Sequence, residues 1–377
     1  MEKAKVYFTN MRTSVNINLL QKLEKLMDKA GIGQINFDRK FTAIKLHFGE
    51  PGNLAFLRPN YAKVVADKVK ALGGKPFLTD CNTLYVGRRK DALEHMDAAY
   101  ENGFSPLSTG CQIIIADGLK GTDEAYVPVP KGKYVKEAKI GRAIMDADVF
   151  ISLSHFKGHE MAGFGGAIKN IGMGCGSRAG KMEQHSEGKP HVNPQQCVGC
   201  GNCARICAQD APTLTNGKMV IDHDKCVGCG RCIGVCPFDA ISPDYKTSLD
   251  IFNKKMAEYT LAVVYGRPSF HIAVITDVSP NCDCHSENDI PFVPNIGLAA
   301  SFDPVALDRA CADLVNQAPV IPGSILDEHV QENPGEASHH DHFHNVAPIT
   351  DWTTCLQYAE EIGLGTQHYE LITLPLA

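Results

Sequence analysis

The stretch "CVGCGNCARICAQDAPTLTNGKMVIDHDKCVGCGRCIGVCPFDA", residues 197–240, interrupts a chain that has the same rhythm before it and after it. Its cysteines are spaced Cys197-x2-Cys200-x2-Cys203-x3-Cys207 and again Cys226-x2-Cys229-x2-Cys232-x3-Cys236. Pro237 follows the second run, and Ala208 stands in that place in the first.

Upstream, "KVYFTN" reads as a strand, and Leu19, Leu20, Leu23, Leu26, Met27 and Ala30 fall at helical spacing before Gly31, a C-terminal cap residue. Strands over 42–48, 75–80, 112–117 and 148–155 then alternate with helices over 61–74 and 89–103. Downstream the pattern resumes with a helix over 250–264, a strand over 270–277, and "NIGLAASFDPVALDRACADLV" with Asp303 as N-cap and Pro304 at the first helical position. Such alternation predicts an α/β fold, a largely parallel sheet covered on both faces. Residues 1–186 and 247–377 are therefore expected to form one discontinuous α/β domain, and 187–246 an insertion. Two tandem α/β domains joined by the cysteine stretch are the alternative.

The doubled four-cysteine run has the spacing of bacterial ferredoxins that carry two [4Fe–4S] clusters. In that pattern three close thiolates hold one cluster and the fourth cysteine serves the other. Cys197, Cys200, Cys203 and Cys236 are thus expected at the first cluster, and Cys226, Cys229, Cys232 and Cys207 at the second. Paired Cys-x2-Cys also builds zinc ribbons, but zinc has no use for the duplication.

With 377 residues, 44% hydrophobic and 21% charged, the chain has the balance of a soluble protein with a sizeable core. "MEKAKVYFTNMRTS" lacks an apolar h-region and the apolar runs are of strand length, so neither secretion nor a membrane span is expected. An odd total of 15 cysteines fits a reducing compartment, and the cytoplasm is predicted. A net charge of −6 argues against nucleic acid as a partner.

In parallel sheets ligands bind at the carboxyl ends of strands, and there this sequence is polar. His47 and Glu50, Asp80 and Asn82, Asp117, His155, Lys157, His159 and Glu160, and Asp277 all follow apolar runs. Asp80 and Asp277 could equally cap the next helix. Gly163, Gly165 and Gly166 precede a helical stretch holding Lys169 and Asn170, an arrangement that aims backbone N–H groups and lysine charge at an anion. A packed glycine turn without a ligand is the plain alternative. "GCGSRA" follows no strand and supports nicotinamide binding only weakly. Cys282 and Cys284, beside His285, could hold a metal, present a reactive thiol, or simply lie buried in a turn. His339 to His344, "HHDHFH", reads as a solvated loop.

"TDCNTLYVGRR", "SHFKGHEMAGFGGAIKNIGMG", "GKMEQH", "CDCHSENDIPFVPNIG" and "ASFDPVALDRACADLV" together resemble the iron–sulfur proteins of the family called domain of unknown function 362. The resemblance covers essentially the whole chain and implies an α/β domain with an inserted ferredoxin, with no substrate assigned. "HEMAGFGGAIK" is also similar to a segment of the nickel-pincer lactate racemases, with His159 and Lys169 on that family's functional histidine and cofactor-tethering lysine. That similarity spans only eleven residues and displaces the glycine pair by one.

The leading expectation is an iron–sulfur oxidoreductase that passes single electrons between a redox partner, ferredoxin-like or a flavoprotein, and a small anionic ligand at the strand ends. Lys157, Lys169, Asn170, Asp80, Asn82 and the glycine loop would hold the ligand. His155 or His159 would move protons, and Cys282 and Cys284 would be redox or ligand groups. The rivals are a redox-sensing or partner-docking protein and a racemase- or isomerase-like enzyme with structural clusters. No membrane partner is expected, and a homodimer is compatible with the sequence.

Overall fold

The computed structural model describes residues 3–84, 87–186, 189–243, 248–334 and 341–375. Eight strands form one sheet: β1 (Ala4–Asn10), β2 (Phe41–Lys45), β3 (Lys75–Asp80), β4 (Gln112–Ile115), β5 (Val149–His155), β6 (Ser269–Ile275), β7 (Gly297–Ser301) and β8 (Tyr369–Thr373). Their spatial order is β8-β1-β7-β6-β5-β2-β3-β4. All pairs are parallel except those of β7, which runs against both β1 and β6. The expected largely parallel α/β sheet is present. The reversal at β7 has a simple cause: a parallel neighbour needs a crossover, whereas residues 276–296 between β6 and β7 contain no helix.

Alternation along the central strands divides the core. Ile44, Ile151 and Ile272 face one layer, with α1 (Leu19–Lys29) and α2 (Pro59–Ala71) over it; Ala43, Phe150 and Ala273 face the other. On that second face lies α4 (Ala167–Cys175), with α6 (Leu249–Val264) packed on it; α3 (Ala92–Glu101) precedes α4 in sequence, and α5 (Arg178–Ser186) follows it. Gly172 makes the α4–α6 contact: a Cβ there would lie 2.2 Å from the Met256 carbonyl oxygen. Every residue of β5 is buried, Ser152 and Ser154 included, as in a strand covered on both faces. Local signals hold where they were read. Gly31 takes φ 90° after α1, and Asp303 caps α7 (Pro304–Asn316) through the amides of Val305 and Ala306.

The cysteine segment builds two small two-stranded sheets outside the large one. Pro190–Val192 pairs with Ile241–Pro243 at its base, Pro212–Thr215 with Lys218–Ile221 above, and two short helices, Asn202–Ile206 and Arg231–Gly234, carry part of the cysteine set. The expected limits 187 and 246 lie outside the described residues. β5 and β6, which precede and follow the segment in sequence, lie side by side in the sheet. Leu84 and Met182 from the α/β body pack into the segment's apolar cluster of Cys197, Cys203, Met219 and Ile233.

Arg178 at the start of α5 lies between the two pieces. Its Nε donates to the Lys120 carbonyl at 3.0 Å, one Nη to the Thr83 carbonyl at 3.3 Å, and the other to the Lys90 carbonyl. Cβ atoms at Gly230 and Gly234 would fall 2.8 and 3.0 Å from its side chain. The described part of the histidine run is not a solvated loop: His342–Val346 forms a short helix and His342 is buried with Nε2 on the Ala318 carbonyl, while His339 and His340 lie outside the described residues. Among the described residues no helix is long and apolar enough to cross a membrane.

Candidate functional site

The carboxyl ends of β2, β3, β5 and β6 converge, because parallel strands in register end on the same edge of the sheet. A cavity of about 60 Å³ opens there, closed on one side by α4 and on another by the loop that carries Cys282, Asp283 and Cys284. Lys45, Arg89, Lys157, Lys169 and Lys181 line it, against the carboxylates of Asp80 and Asp283. Lys45 pairs with Asp80 at 3.0 Å and with the Asn170 amide oxygen at 2.9 Å. Lys157 stands 3.8 Å from Asp283, and Arg89 donates through Nε to Glu50 at 2.7 Å. One guanidinium nitrogen of Arg89, Nη2, is buried with no partner among the described residues. Such a group is costly to leave unbonded, and with cations in excess the cavity is chemically matched to an anion.

Cys282 and Cys284 are both buried at this wall. A hydrogen bond from Cys284 holds the Cys282 thiol well below its ordinary pKa; burial opposes this, and Lys157 and Lys169, with nitrogens 3.7 and 3.4 Å from its sulfur, reinforce it. Cys284 moves the opposite way, well upward, because its hydrogen bond to Cys282 holds the proton on it and burial adds to this. The two thiols are thus driven apart, Cys282 toward the thiolate and Cys284 toward the neutral thiol. Burial alone would lower the Lys157 ammonium, but Asp283, Cys282 and Cys284 outweigh it and hold its pKa above the usual value.

The two candidate proton carriers separate. His155 is locked, with Nδ1 at 3.0 Å from both Asp283 oxygens and Nε2 at 2.7 Å from the Thr276 carbonyl. Both of its nitrogens are thus engaged, and through them the ring braces Asp283 against the end of β6. His159 receives the Met161 and Ala162 amides on Nδ1, which leaves Nε2 turned toward Glu160 at 3.6 Å. Burial lowers the His159 pKa, so the ring is neutral near pH 7. It lies behind the cavity wall and not on it.

The glycine loop is also different from the expectation. The amides of Ala167 and Ile168, which open α4, donate at 2.6 and 2.9 Å to Asp308 of α7. The acceptor at this helix N-terminus is thus the chain's own Asp308 carboxyl group, and no ligand is needed to occupy those donors. Gly165 and Gly166 still border the cavity; Gly163, at φ 79°, turns the chain against Trp352 outside it. A Cβ at Gly166 would meet Asp308 at 2.3 Å.

Asn170 ties Lys45, Ser152 and Leu153 together and lines the cavity. Asp80 faces it but caps no helix; Asp91 performs that role for α3. Asn82 lies outside it, its backbone and side-chain amides both held by Asp117 at 2.9 Å, and burial raises the Asp117 pKa to about 6. Asp277 stands apart, facing Arg58 at 3.8 Å. Sequence reasoning missed Lys45, Arg89, Lys181, Asp283 and Asp308. Lys45 left a trace, being a lysine inside the apolar run "TAIKLHF".

In the cysteine segment all eight thiols are free. One cavity of about 210 Å³ is lined by Cys207, Cys226, Cys229 and Cys232; a smaller one, about 10 Å³, by Cys197, Cys200, Cys203 and Cys236. Backbone N–H groups of Gly199 and Met219 point at the Cys197 sulfur from 3.4 and 3.3 Å, and that of Ala240 at the Cys236 sulfur from 3.4 Å. Four sulfurs around one space, with N–H donors behind them, suit a metal or cluster bound as thiolates.

The family model described as "Domain of unknown function (DUF362)" matches residues 42–313. The chain belongs to this family. A thylakoid-associated protein of Synechocystis sp. is 28% identical over 187 residues, 47% of this chain and 52% of that protein. The chain thus matches about half the length of that curated relative. Among solved structures, the lactate racemase apoprotein from Thermoanaerobacterium thermosaccharolyticum aligns with TM-score 0.35 and 12% identity over 72% of this chain and 51% of that one. A Thermotoga maritima protein aligns with TM-score 0.37 and 14% identity over 78% of this chain and 57% of that one.

Proposed function

We propose that this DUF362 protein is an iron–sulfur electron-transfer protein of the cytoplasm whose α/β domain, residues 1–186 with 247–377, binds a small anion beside an inserted two-cluster ferredoxin. The observation that carries the reading is the crossed grouping of cysteines: Cys207 shares a cavity with Cys226, Cys229 and Cys232, and Cys236 with Cys197, Cys200 and Cys203. This grouping is what the spacing calls for in two [4Fe–4S] centres. Bound there, such clusters supply one-electron transfer at low potential.

The chain's own residues do the rest. Arg178 reaches from the backs of Gly230 and Gly234, next to Cys229 and Cys232, to the Thr83 carbonyl, and Thr83 lines the basic cavity. The second cysteine group and the cavity are therefore joined by one short run of contacts. Lys157, Lys169 and the unpaired Nη2 of Arg89 would bind and orient the anion, and the buried wall would exclude water. A redox partner, ferredoxin-like or a flavoprotein, would meet the cysteine segment from outside.

Protein purified anaerobically should carry about eight iron and eight sulfide per chain. Cys207→Ser should lose about half of the iron, from the group of Cys226, Cys229 and Cys232. Stoichiometric zinc without broad visible absorption would reject the clusters. For the cavity, a thermal-shift panel of small carboxylates, phosphates and their uncharged analogues should single out anions. Lys169→Ala should weaken the best of them by 1 to 3 kcal/mol, about 5- to 150-fold, without loss of iron. That anion should speed reoxidation of the reduced protein; indifference to it would favour the partner-docking reading.

A further inference from the structure

Glu160, Cys284 and His285 bring a carboxylate oxygen, a sulfur and an imidazole nitrogen within 4.8 Å of one another. They come from two separate parts of the chain, the turn after His159 and the helix-free connection between β6 and β7. His285 Nε2 lies 3.1 Å from Glu160 Oε1, while Glu160 Oε2 is buried with no partner among the described residues. Cys284 is buried and shared with the basic cavity. Three donors of three chemical kinds, one of them an inward carboxylate oxygen left unbonded, are what a cation would satisfy.

We infer that Glu160, Cys284 and His285 form a mononuclear site for a divalent cation of zinc-like preference, with its open position toward the basic cavity. Sulfur rules against magnesium and calcium, which take oxygen ligands, and the mixed sulfur, nitrogen and oxygen set suits zinc. A tetrahedral centre needs ligand atoms about 3.3 to 3.6 Å apart. The donors must close in from their present spread, and the Glu160 and His285 side chains, 40% and 39% exposed, have room to do so. Three protein ligands and one open position are the pattern of a zinc site that works on a bound ligand, and Cys284 shares its cavity wall with Lys157 and Lys169. Cys282, already held by both lysines, is not a ligand in this assignment, and Cys284 releases its proton to solvent when it takes up the metal. The site shares the proposed anion cavity, but its metal content is read without any electron donor, so it stands or falls separately from the redox reading.

The test uses the anaerobically prepared holoprotein, equilibrated with zinc chloride and dialysed, with iron and zinc measured together and the zinc edge recorded by X-ray absorption. One zinc per chain is expected at unchanged iron, with one sulfur at about 2.3 Å and nitrogen or oxygen at about 2.0 to 2.1 Å. Glu160→Gln, Cys284→Ser and His285→Ala should each weaken zinc at least about 100-fold, beyond the 10- to 100-fold typical of residues outside the first ligands. Cys282→Ser should retain it. Because Glu160 and His285 are partly exposed, their variants test the site even if Cys284→Ser folds poorly. Failure to bind one zinc, retention of zinc in the Glu160 and His285 variants, or equal loss in Cys282→Ser would overturn the inference.

Discussion

The cysteine segment and the basic cavity both gather groups that would make poor neighbours if left alone, but they do so by opposite means. In the segment, two runs of four cysteines lie within residues 197–236 and spacing alone brings them together. In the cavity, Lys45, Arg89, Lys169 and Asp283 come from four distant stretches and meet only because parallel strands end on one edge. A site written locally can be altered without disturbing the body that carries it. A site written through the sheet is part of that body's stability.

The sharpest way to break this contrast is Lys45→Met. Lys45 and Asp80 are both buried, so removing the lysine leaves a buried carboxylate unpaired, at a cost of about 3 to 5 kcal/mol. The unfolding midpoint of the α/β body should fall by several degrees, whereas Cys229→Ser should remove iron and leave that midpoint nearly in place. Equal thermal losses in the two variants would end the distinction. Next comes Arg178→Ala, which strips donors from the carbonyls of Lys120, Thr83 and Lys90 at the junction. About 2 to 4 kcal/mol should be lost. Limited proteolysis should then release the cysteine segment faster; an unchanged digestion rate would show that Leu84 and Met182 suffice to hold it.

The smallest effect belongs to Asp308. Burial raises its carboxyl pKa to about 7 despite the two amides it receives. The folded state therefore keeps a proton that the unfolded chain releases near pH 4, and the stability Asp308 contributes is fully present below about pH 4 and declines as pH rises toward 7. Asp308→Asn should cost about 1 to 2 kcal/mol through the weakened cap. The gap in unfolding midpoint between wild type and variant should narrow by on the order of 2 °C from pH 4 to pH 7, as followed by circular dichroism. A gap that widens would mean the carboxylate is ionised throughout.

The same contrast decides what could be read in advance. Strands β2, β3, β5 and β6 were legible from apolar runs, and Asp303 with Pro304 marked the start of α7, because these signals act over a few residues. β8 was not: "YELIT" is a half-exposed edge strand whose partner, β1, lies at the other end of the chain. Lys157, Lys169, Cys282 and Cys284 were identified and do share one cavity. The partners of His155 were not legible, because the acceptors on its two nitrogens, Asp283 and Thr276, belong to the β6–β7 connection. The glycine-led helix was offered to a ligand because nothing near it in sequence shows that Asp308, some 140 residues later, fills it.

Arg178 also bears on how freely such segments can be exchanged. Gly230 and Gly234 have little room for a side chain where they meet it, and its guanidinium is tied to three carbonyls of the body. A cysteine segment grafted from another protein would seat best with glycine at both places, whatever its cysteine spacing. The arginine works as a lock cut for a narrow key: alanine at the first place would press on its stem from a left-handed backbone that glycine adopts most readily, and alanine at the second would have to nudge a guanidinium held by three carbonyls.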